Sequence, residues 1–404
     1  MKLFDVYPLN DITIVKAKDS YVWDEEGIQY IDMYGGHAVI SIGHTHPHWV
    51  QRIQEQLNKI AFYSNSVHIP IQKELADKLA KLSGKTDYQL FMVNSGAEAN
   101  ENALKLASFH TGRKKILAFR KSFHGRTSLA VAATDNKNLV APVNETEHID
   151  FLPFNDEGAL KEYFQKKGNE LAAVIIEAVQ GVGGINIASQ SFLKLIRELC
   201  NDHGALLIAD EVQCGYGRTG SFFAMDQSGV TADIYTMAKG MGNGFPVGGM
   251  LIAPYIQAKH GMLGTTFGGN HLACAAALAV LEVMEQEDLI EKAKQRGQYL
   301  LNKLKRLDVI SNIRGMGLMI GFDVPEEMKN LRKDLLLQHH IFTGEAKPNV
   351  IRLLPALTIS RKLLDEFLDS LEEAIGQSHE SGAGSSESGV QNQNKEVQSS
   401  QSKV

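Results

Sequence analysis

Cysteine is scarce in this 404-residue chain: Cys200, Cys214 and Cys274 are odd in number and widely spaced. That usage does not suit a disulfide framework and points to reduced thiols in the cytoplasm. Apolar runs of membrane length are also missing. The longest, Leu272 to Leu281, stops at Glu282, at about half of the roughly 20 residues that a span requires. The start, Met1-Lys2-Leu3-Phe4-Asp5, brings in an acid at once and has no apolar core, so it does not read as a signal peptide. Charge of one sign is lacking too. Lys and Arg number 41 against 47 Asp and Glu, and the net charge of -6 argues against nucleic acid as a partner. There is no internal repeat. What is present is the composition of an ordinary globular protein, 44% hydrophobic and 22% charged, long enough for two or three domains around a large core.

Short strands are expected first, at Ile12 to Val15, Tyr21 to Trp23 and Tyr30 to Ile31, with a turn at Asp24-Glu25-Glu26-Gly27. A unit this small needs packing from elsewhere, and the C-terminal region is the expected source. Residues 51–82 have a helical pattern. From Leu90 to about Ala253 strands alternate with helices. The candidate strands are Leu90 to Val93, Ile116 to Phe119, Leu129 to Ala133, Ala172 to Ile176, Ala205 to Ala209, Ile234 to Ala238 and Gly249 to Ala253. Phe192, Leu195, Ile196 and Leu199 mark one face of a crossover helix. This is the α/β pattern of a mostly parallel sheet covered on both faces. Helices at Ala273 to Gln286 and Glu291 to Leu307 follow, then a smaller α+β unit from Ile313 to about Ile375. The expected organisation is an N-terminal segment (1–47) packing with the small domain, a large domain (48–289), a C-terminal small domain (290–376) and a disordered tail (377–404), too polar to offset its ordering entropy.

Three of the expected strands end in one ionisable residue each: Ala172 to Ile176 in Glu177, Ala205 to Ala209 in Asp210, and Ile234 to Ala238 in Lys239. In an open α/β sheet the ligand crevice lies at the carboxyl ends of the strands, so these three groups should converge there. A lysine beside an aspartate on a neighbouring strand is what pyridoxal phosphate chemistry needs. The lysine bonds the cofactor and the aspartate keeps its pyridine nitrogen protonated. Asn94-Ser95-Gly96-Ala97-Glu98 follows a strand and opens a helix. Alone it is the pattern of an ordinary Ser N-cap; beside a cofactor lysine it becomes a phosphate cradle. Phe123-His124-Gly125-Arg126 could stack on a flat cofactor and clamp a carboxylate, or be a solvated loop.

Two motifs mislead. Gly215-Tyr216-Gly217-Arg218-Thr219-Gly220 satisfies the dinucleotide glycine fingerprint, yet no helix-periodic run follows it and no second-strand acid lies at the required distance. His44-Thr45-His46-Pro47-His48 looks like a metal cluster, but Pro47 and its neighbours favour a turn and no acid or cysteine stands nearby in sequence, so no metal is expected.

Asn94-Ser95-Gly96-Ala97-Glu98-Ala99-Asn100, Phe123-His124-Gly125-Arg126, Asp210-Glu211-Val212-Gln213, Ala238-Lys239-Gly240 and Thr265-Thr266-Phe267-Gly268-Gly269-Asn270 occur in this order. They resemble the class III, ornithine-type aminotransferases of pyridoxal phosphate (PLP) fold type I, over residues 1 to about 376. Gly217-Arg218-Thr219-Gly220, the Arg314 to Gly321 run and Arg352-Leu353-Leu354-Pro355-Ala356-Leu357 are most like the acetylornithine branch. The resemblance implies a mostly parallel seven-stranded sheet covered by helices, with a smaller α+β domain. It implies transfer of the δ-amino group of an N-acylornithine to 2-oxoglutarate, giving glutamate and an N-acylglutamate semialdehyde, in arginine biosynthesis. Ornithine δ-aminotransferases and 4-aminobutyrate aminotransferases share these cofactor residues. A PLP-binding protein without turnover is a further reading.

The roles implied are these. Lys239 bonds PLP and shuttles the proton, Asp210 pairs with the ring nitrogen, and Gln213 bonds the phenolic oxygen. Phe123 and Val212 sandwich the ring and Glu177 sits near it. Ser95, Gly96 and Ala97 hold the phosphate, with Thr266 supplied by the other subunit of a homodimer. Arg126 takes the substrate carboxylate distal to the reacting amine, and Arg352 the α-carboxylate of glutamate. Two positions depart from the family. Val182 stands where members carry a glutamate thought to pair with the arginine at 352, and His37 replaces an apolar residue. An unmasked Arg352 and a polar His37 would accommodate a charged acyl group such as N-succinyl; masking of Arg352 by another acid or by water is the alternative.

Overall fold

The computed structural model describes the backbone of residues 1–387 and the side chains of residues 1–377. A seven-stranded sheet runs through its middle in the order Gln89–Val93, Gly248–Ile252, Ile234–Met237, Leu206–Asp210, Leu171–Ile176, Lys115–Phe119, Ile149–Leu152. Gly248–Ile252 alone is antiparallel to its neighbours; the other adjacent pairs are parallel. Successive side chains on a strand point to opposite faces, and here both faces are dry. Ile116, Ala118, Ala173, Ile175, Leu206 and Ile208 pack into one apolar layer with Ala103, Leu104 and Ala107 of the helix Gly96–Thr111. Leu117, Phe119, Val174, Ile176, Leu207 and Ala209 pack into the other with Phe192 and Ile196 of the crossover helix Gln190–His203. Each fully buried aliphatic side chain contributes about 1.5–3 kcal/mol, so a double-faced apolar strand is the most strongly specified element in the chain. That is why these runs were legible.

Local signals set the helix ends. The Ser189 hydroxyl accepts from Phe192 N–H at 3.1 Å and opens the crossover helix, which closes at Gly204 in the left-handed conformation (φ 62°). Gly248 marks a close backbone approach: a Cβ there would lie 2.7 Å from the Ser95 carbonyl oxygen. The Ser95 turn is thereby pressed against the sheet.

Two expectations fail within this sheet. Residues 129–133 do not form a strand; Ser128–Ala132 is a short helix. Five apolar residues are ambiguous by periodicity. Glu101 decides the outcome, its carboxylate accepting from the N–H groups of Leu129 at 3.0 Å and Ala130 at 2.9 Å. The strand missed is the sheet edge Ile149–Leu152. Asp150 interrupts its apolar run and bonds Tyr163 and Lys167.

A second sheet joins Ile14–Lys18, Tyr21–Asp24 and Gln29–Asp32 in antiparallel order and is completed by Ile341–Phe342, parallel to Gln29–Asp32. A third contains Ser311–Met316, Met319–Asp323, Val350–Leu353 and Gly344–Ala346, all antiparallel. The helical pattern over 51–82 is two helices, Pro47–Leu57 and Pro70–Ser83, with 58–69 between them non-helical. The last helix, Arg361–Glu387, extends into residues 377–387 of the expected tail. It is nucleated by buried Leu364, Phe367 and Leu371, and continues through a stretch without proline at the low cost of propagation. Residues 388–404 of the expected tail lie outside the described residues. Among the described residues no helix is long and apolar enough to cross a membrane, and the three cysteines are free and buried.

Candidate active site

A cavity of about 370 Å³ opens at the carboxyl ends of the central strands. Its wall includes ten of the residues singled out from the sequence: Ser95, Gly96, Ala97, Phe123, Arg126, Glu177, Asp210, Val212, Gln213 and Lys239. Val182 is also on that wall. Arg352 and His37 are not wall residues but border it through Gln213. Gln213 Nε2 donates to the His37 carbonyl at 3.0 Å, and Arg352 Nη1 lies 3.5 Å from Gln213 Oε1. Thr266 is exposed on a loop and lies outside the cavity wall of its own chain.

Asp210 ends its strand with a buried carboxylate held by three donors. Asn100 Nδ2 and His124 Nδ1 each stand 2.7 Å from Oδ2, and Val212 N–H donates to Oδ1 at 3.0 Å. Asn100 is itself fixed, accepting from Thr236 Oγ1 at 2.6 Å and donating to the His124 carbonyl at 2.7 Å. Neither Asn100 nor His124 was given a role from sequence. Asn100 carried a signal: a polar residue in line with the apolar stripe of Ala103, Leu104 and Ala107. His124 Nε2 is buried with no hydrogen-bond partner among the described residues.

Lys239 begins a tight turn directly after its strand, with its backbone in the left-handed region (φ 45°), a conformation that costs a non-glycine residue free energy and clusters at functional sites. Its amine makes no hydrogen bond or ion pair among the described residues. Burial pushes the Lys239 pKa down, opposed by the charges of Asp210 and Glu177. Glu177 accepts from Phe123 N–H and Gly181 N–H, both at 3.0 Å. Burial pushes its carboxyl up to about 7, with His124 pulling down and Asp210 pushing up.

At the opposite end, the Ser95 hydroxyl caps the helix Gly96–Thr111 by accepting from Glu98 N–H at 3.2 Å. The Gly96 and Ala97 N–H groups are left to face the cavity, as the first donors of a helix are. Gly96 has a packing reason as well: a Cβ there would lie 2.6 Å from Val212 Cγ1. The donor set fits PLP. The cavity offers an anchored carboxylate for a ring nitrogen, an unpaired amine, an aromatic and a branched apolar wall, and a helix N-terminus for a phosphate.

Arg352 is buried on the strand Val350–Leu353, and its Nε donates to the Glu345 carbonyl at 2.8 Å. Burial lowers its pKa, against Tyr34, Glu177 and Glu345. No carboxylate reaches it within ion-pair distance among the described residues. Arg126 stands at the mouth, exposed, also without an ion pair among those residues. His37 occupies a left-handed turn with Gly36 and Ala38, and its ring Nδ1 bonds the Tyr34 hydroxyl. Burial, then Arg352 and Lys239, push its pKa down.

The misleading motifs have structural uses. Arg218 of the glycine-rich run is buried and donates to the carbonyls of Leu318 (3.2 Å), Pro355 and Ile40 (3.4 Å), tying three segments together. His44, His46 and His48 pair separately with Asp32, Glu287 and Glu282.

The family model described as aminotransferase class-III matches residues 6–375. The acetylornithine aminotransferase of Archaeoglobus fulgidus is 40% identical over 370 residues, covering 91% of this chain and 96% of that protein. Among solved structures, an acetylornithine aminotransferase from Elizabethkingia anophelis superposes with TM-score 0.81 at 30% identity, over 93% of this chain and 96% of the other. The ornithine aminotransferase of Toxoplasma gondii, with PLP partly occupying its active site, gives TM-score 0.85 at 27% identity, over 93% and 92%.

Proposed function

Because the chain belongs to the class-III aminotransferases, which are PLP-dependent, we propose that it moves the δ-amino group of an N-acylornithine onto 2-oxoglutarate. The products are an N-acylglutamate semialdehyde and glutamate, a step of arginine biosynthesis. The observation that carries this reading is the Lys239–Asp210 cavity in a chain whose likeness to an acetylornithine enzyme runs over 91% of its length.

When bound, PLP supplies the electron sink and holds the amino group between the two substrates. Lys239 would bond it; once the incoming amine donor takes Lys239's place in that bond, the freed amine, uncharged more readily because it is buried, would move the proton at the carbon that bears the amino group. Asp210 would hold the ring nitrogen, Phe123 and Val212 would flank the ring, Gln213 would bond the phenolic oxygen, and Glu177 would lie close by. Ser95, Gly96 and Ala97 receive the phosphate. Arg126 takes the distal carboxylate and Arg352 the α-carboxylate of glutamate. Thr266 serves the phosphate site of the partner subunit in a homodimer. Three buried free thiols support a reducing compartment, the cytoplasm.

Specificity among acyl groups rests on Arg352. A buried guanidinium that, among the described residues, is bonded only to a carbonyl and an amide favours a second carboxylate as its partner, and Val182 on the cavity wall supplies none. N-Succinylornithine is accordingly the second amine donor proposed. A donor panel of N-acetylornithine, N-succinylornithine, ornithine and 4-aminobutyrate, with 2-oxoglutarate as acceptor and glutamate as the readout, decides both points. No glutamate from either acylornithine refutes the reading; a clear preference for the acetyl donor removes the succinyl one. The two substrates use one cavity in turn, so initial-velocity plots should run parallel.

A further inference from the structure

Arg126 is exposed, and a long cation on a loop loses affinity if it must be ordered on binding. Its backbone, however, is pinned on both sides to one helix. On the N-terminal side, Gly125 adopts φ 140° and lies so near Ala97 that a Cβ would stand 2.8 Å from the Ala97 Cβ. On the C-terminal side, Thr127 donates its hydroxyl to Glu101 Oε2 at 2.8 Å. The same carboxylate accepts the N–H groups of Leu129 at 3.0 Å and Ala130 at 2.9 Å, two of the free donors in the first turn of the short helix Ser128–Ala132.

Ala97 and Glu101 are one turn apart on Gly96–Thr111, the helix whose N-terminus faces the cavity. We propose that Glu101 is a positioning residue for substrate binding. It sets where Arg126 stands relative to the first turn of that helix, and so sets the span between the phosphate cradle and the substrate carboxylate. The proposal rests on the reading that Arg126 takes that carboxylate. Glu101 touches neither substrate nor cofactor; it acts through the turn 125–130.

The cofactor-loaded protein tests it with Glu101→Gln, which keeps one acceptor oxygen, Thr127→Val, which removes at constant shape the hydroxyl that reaches Glu101 and, at 3.5 Å, the Ala97 carbonyl, and Arg126→Ala. Glu101→Gln should raise KM for 2-oxoglutarate about tenfold while kcat at saturation stays within about threefold. Thr127→Val should shift KM in the same direction by less. Glutarate, a dicarboxylate without an amine, should bind the Glu101→Gln protein about tenfold more weakly by calorimetry. The titrated affinity for PLP should stay unchanged in both variants, which a general loosening of the helix would not allow. In the Arg126→Ala background, Glu101→Gln should have no further effect on KM or glutarate binding, because effects acting through one group do not add. Independent losses in that background, or a fall in PLP affinity, would overturn the role of Glu101. If Arg126→Ala alone leaves KM and glutarate binding intact, the assignment of Arg126 fails instead.

Discussion

His124 Nδ1 lies 2.7 Å from Asp210 Oδ2, and both side chains are buried. A carboxylate only accepts, so the proton in this contact sits on Nδ1 of the imidazole. With Asn100 and Val212 also donating, Asp210 cannot turn without breaking three bonds. Asp210→Asn keeps the shape and removes the charge, and should lower kcat about 100-fold or more, the scale of a lost electrostatic partner at a reacting centre. His124→Asn should cost less, since Asn100 and Val212 still hold the carboxylate. Single-turnover rates with saturating amine donor check both; wild-type rates for Asp210→Asn would remove it from the chemistry.

Lys239→Ala should abolish turnover while the cavity still takes up PLP without a covalent bond. Hydride reduction followed by mass spectrometry reads this directly. The wild-type chain should gain the mass of the reduced cofactor and the variant should not. A variant that still gains it would place the bond on another amine.

Glu211 gives the pH dependence of stability a testable sign. Its oxygens accept from Met225 N–H at 2.8 Å and Ala224 N–H at 2.9 Å, yet burial outweighs these bonds and pushes the carboxyl from 4.5 up to about 7. The folded chain keeps a proton there that the unfolded chain releases above 4.5. The contribution of Glu211 to stability is therefore fully present below that pH and is lost as pH rises through about 7. The wild-type thermal midpoint should fall relative to that of Glu211→Gln between about pH 5 and about pH 8. Parallel midpoint curves for the two proteins would show that Glu211 does not titrate in this range.

The strands that end in Glu177, Asp210 and Lys239 were legible because each is an unbroken apolar run, and only a sheet buried on both faces favours such runs. The cavity followed from where those runs stop. What was not legible depends on partners far away in sequence. Ser128–Ala132 is helical because of Glu101, and Ile149–Leu152 is an edge strand hidden by Asp150. The roles of Asn100 and His124 appear only when the helix and the loop meet behind Asp210, a contact with no periodicity to announce it. The loop that carries Gly181 was in view as a departure from the family at Val182, but its contact with Gln213 was not.

That contact yields a prediction that separates shape from chemistry. A Cβ at position 181 would fall 1.6 Å from Gln213 Oε1, closer than any nonbonded pair can stand. The obstacle is the end of a flexible side chain, so the backbone need not move. Gln213 must swing away, giving up its bond to the His37 carbonyl and its approach to Arg352 Nη1. Gly181→Ala should therefore leave the thermal midpoint nearly unchanged while lowering kcat/KM about tenfold, the scale expected when a positioning contact is displaced. The decisive comparison is made in a Gln213→Ala background, where the obstacle is gone. There Gly181→Ala should be silent; a further loss of activity would mean that the new methyl group collides with something other than Gln213.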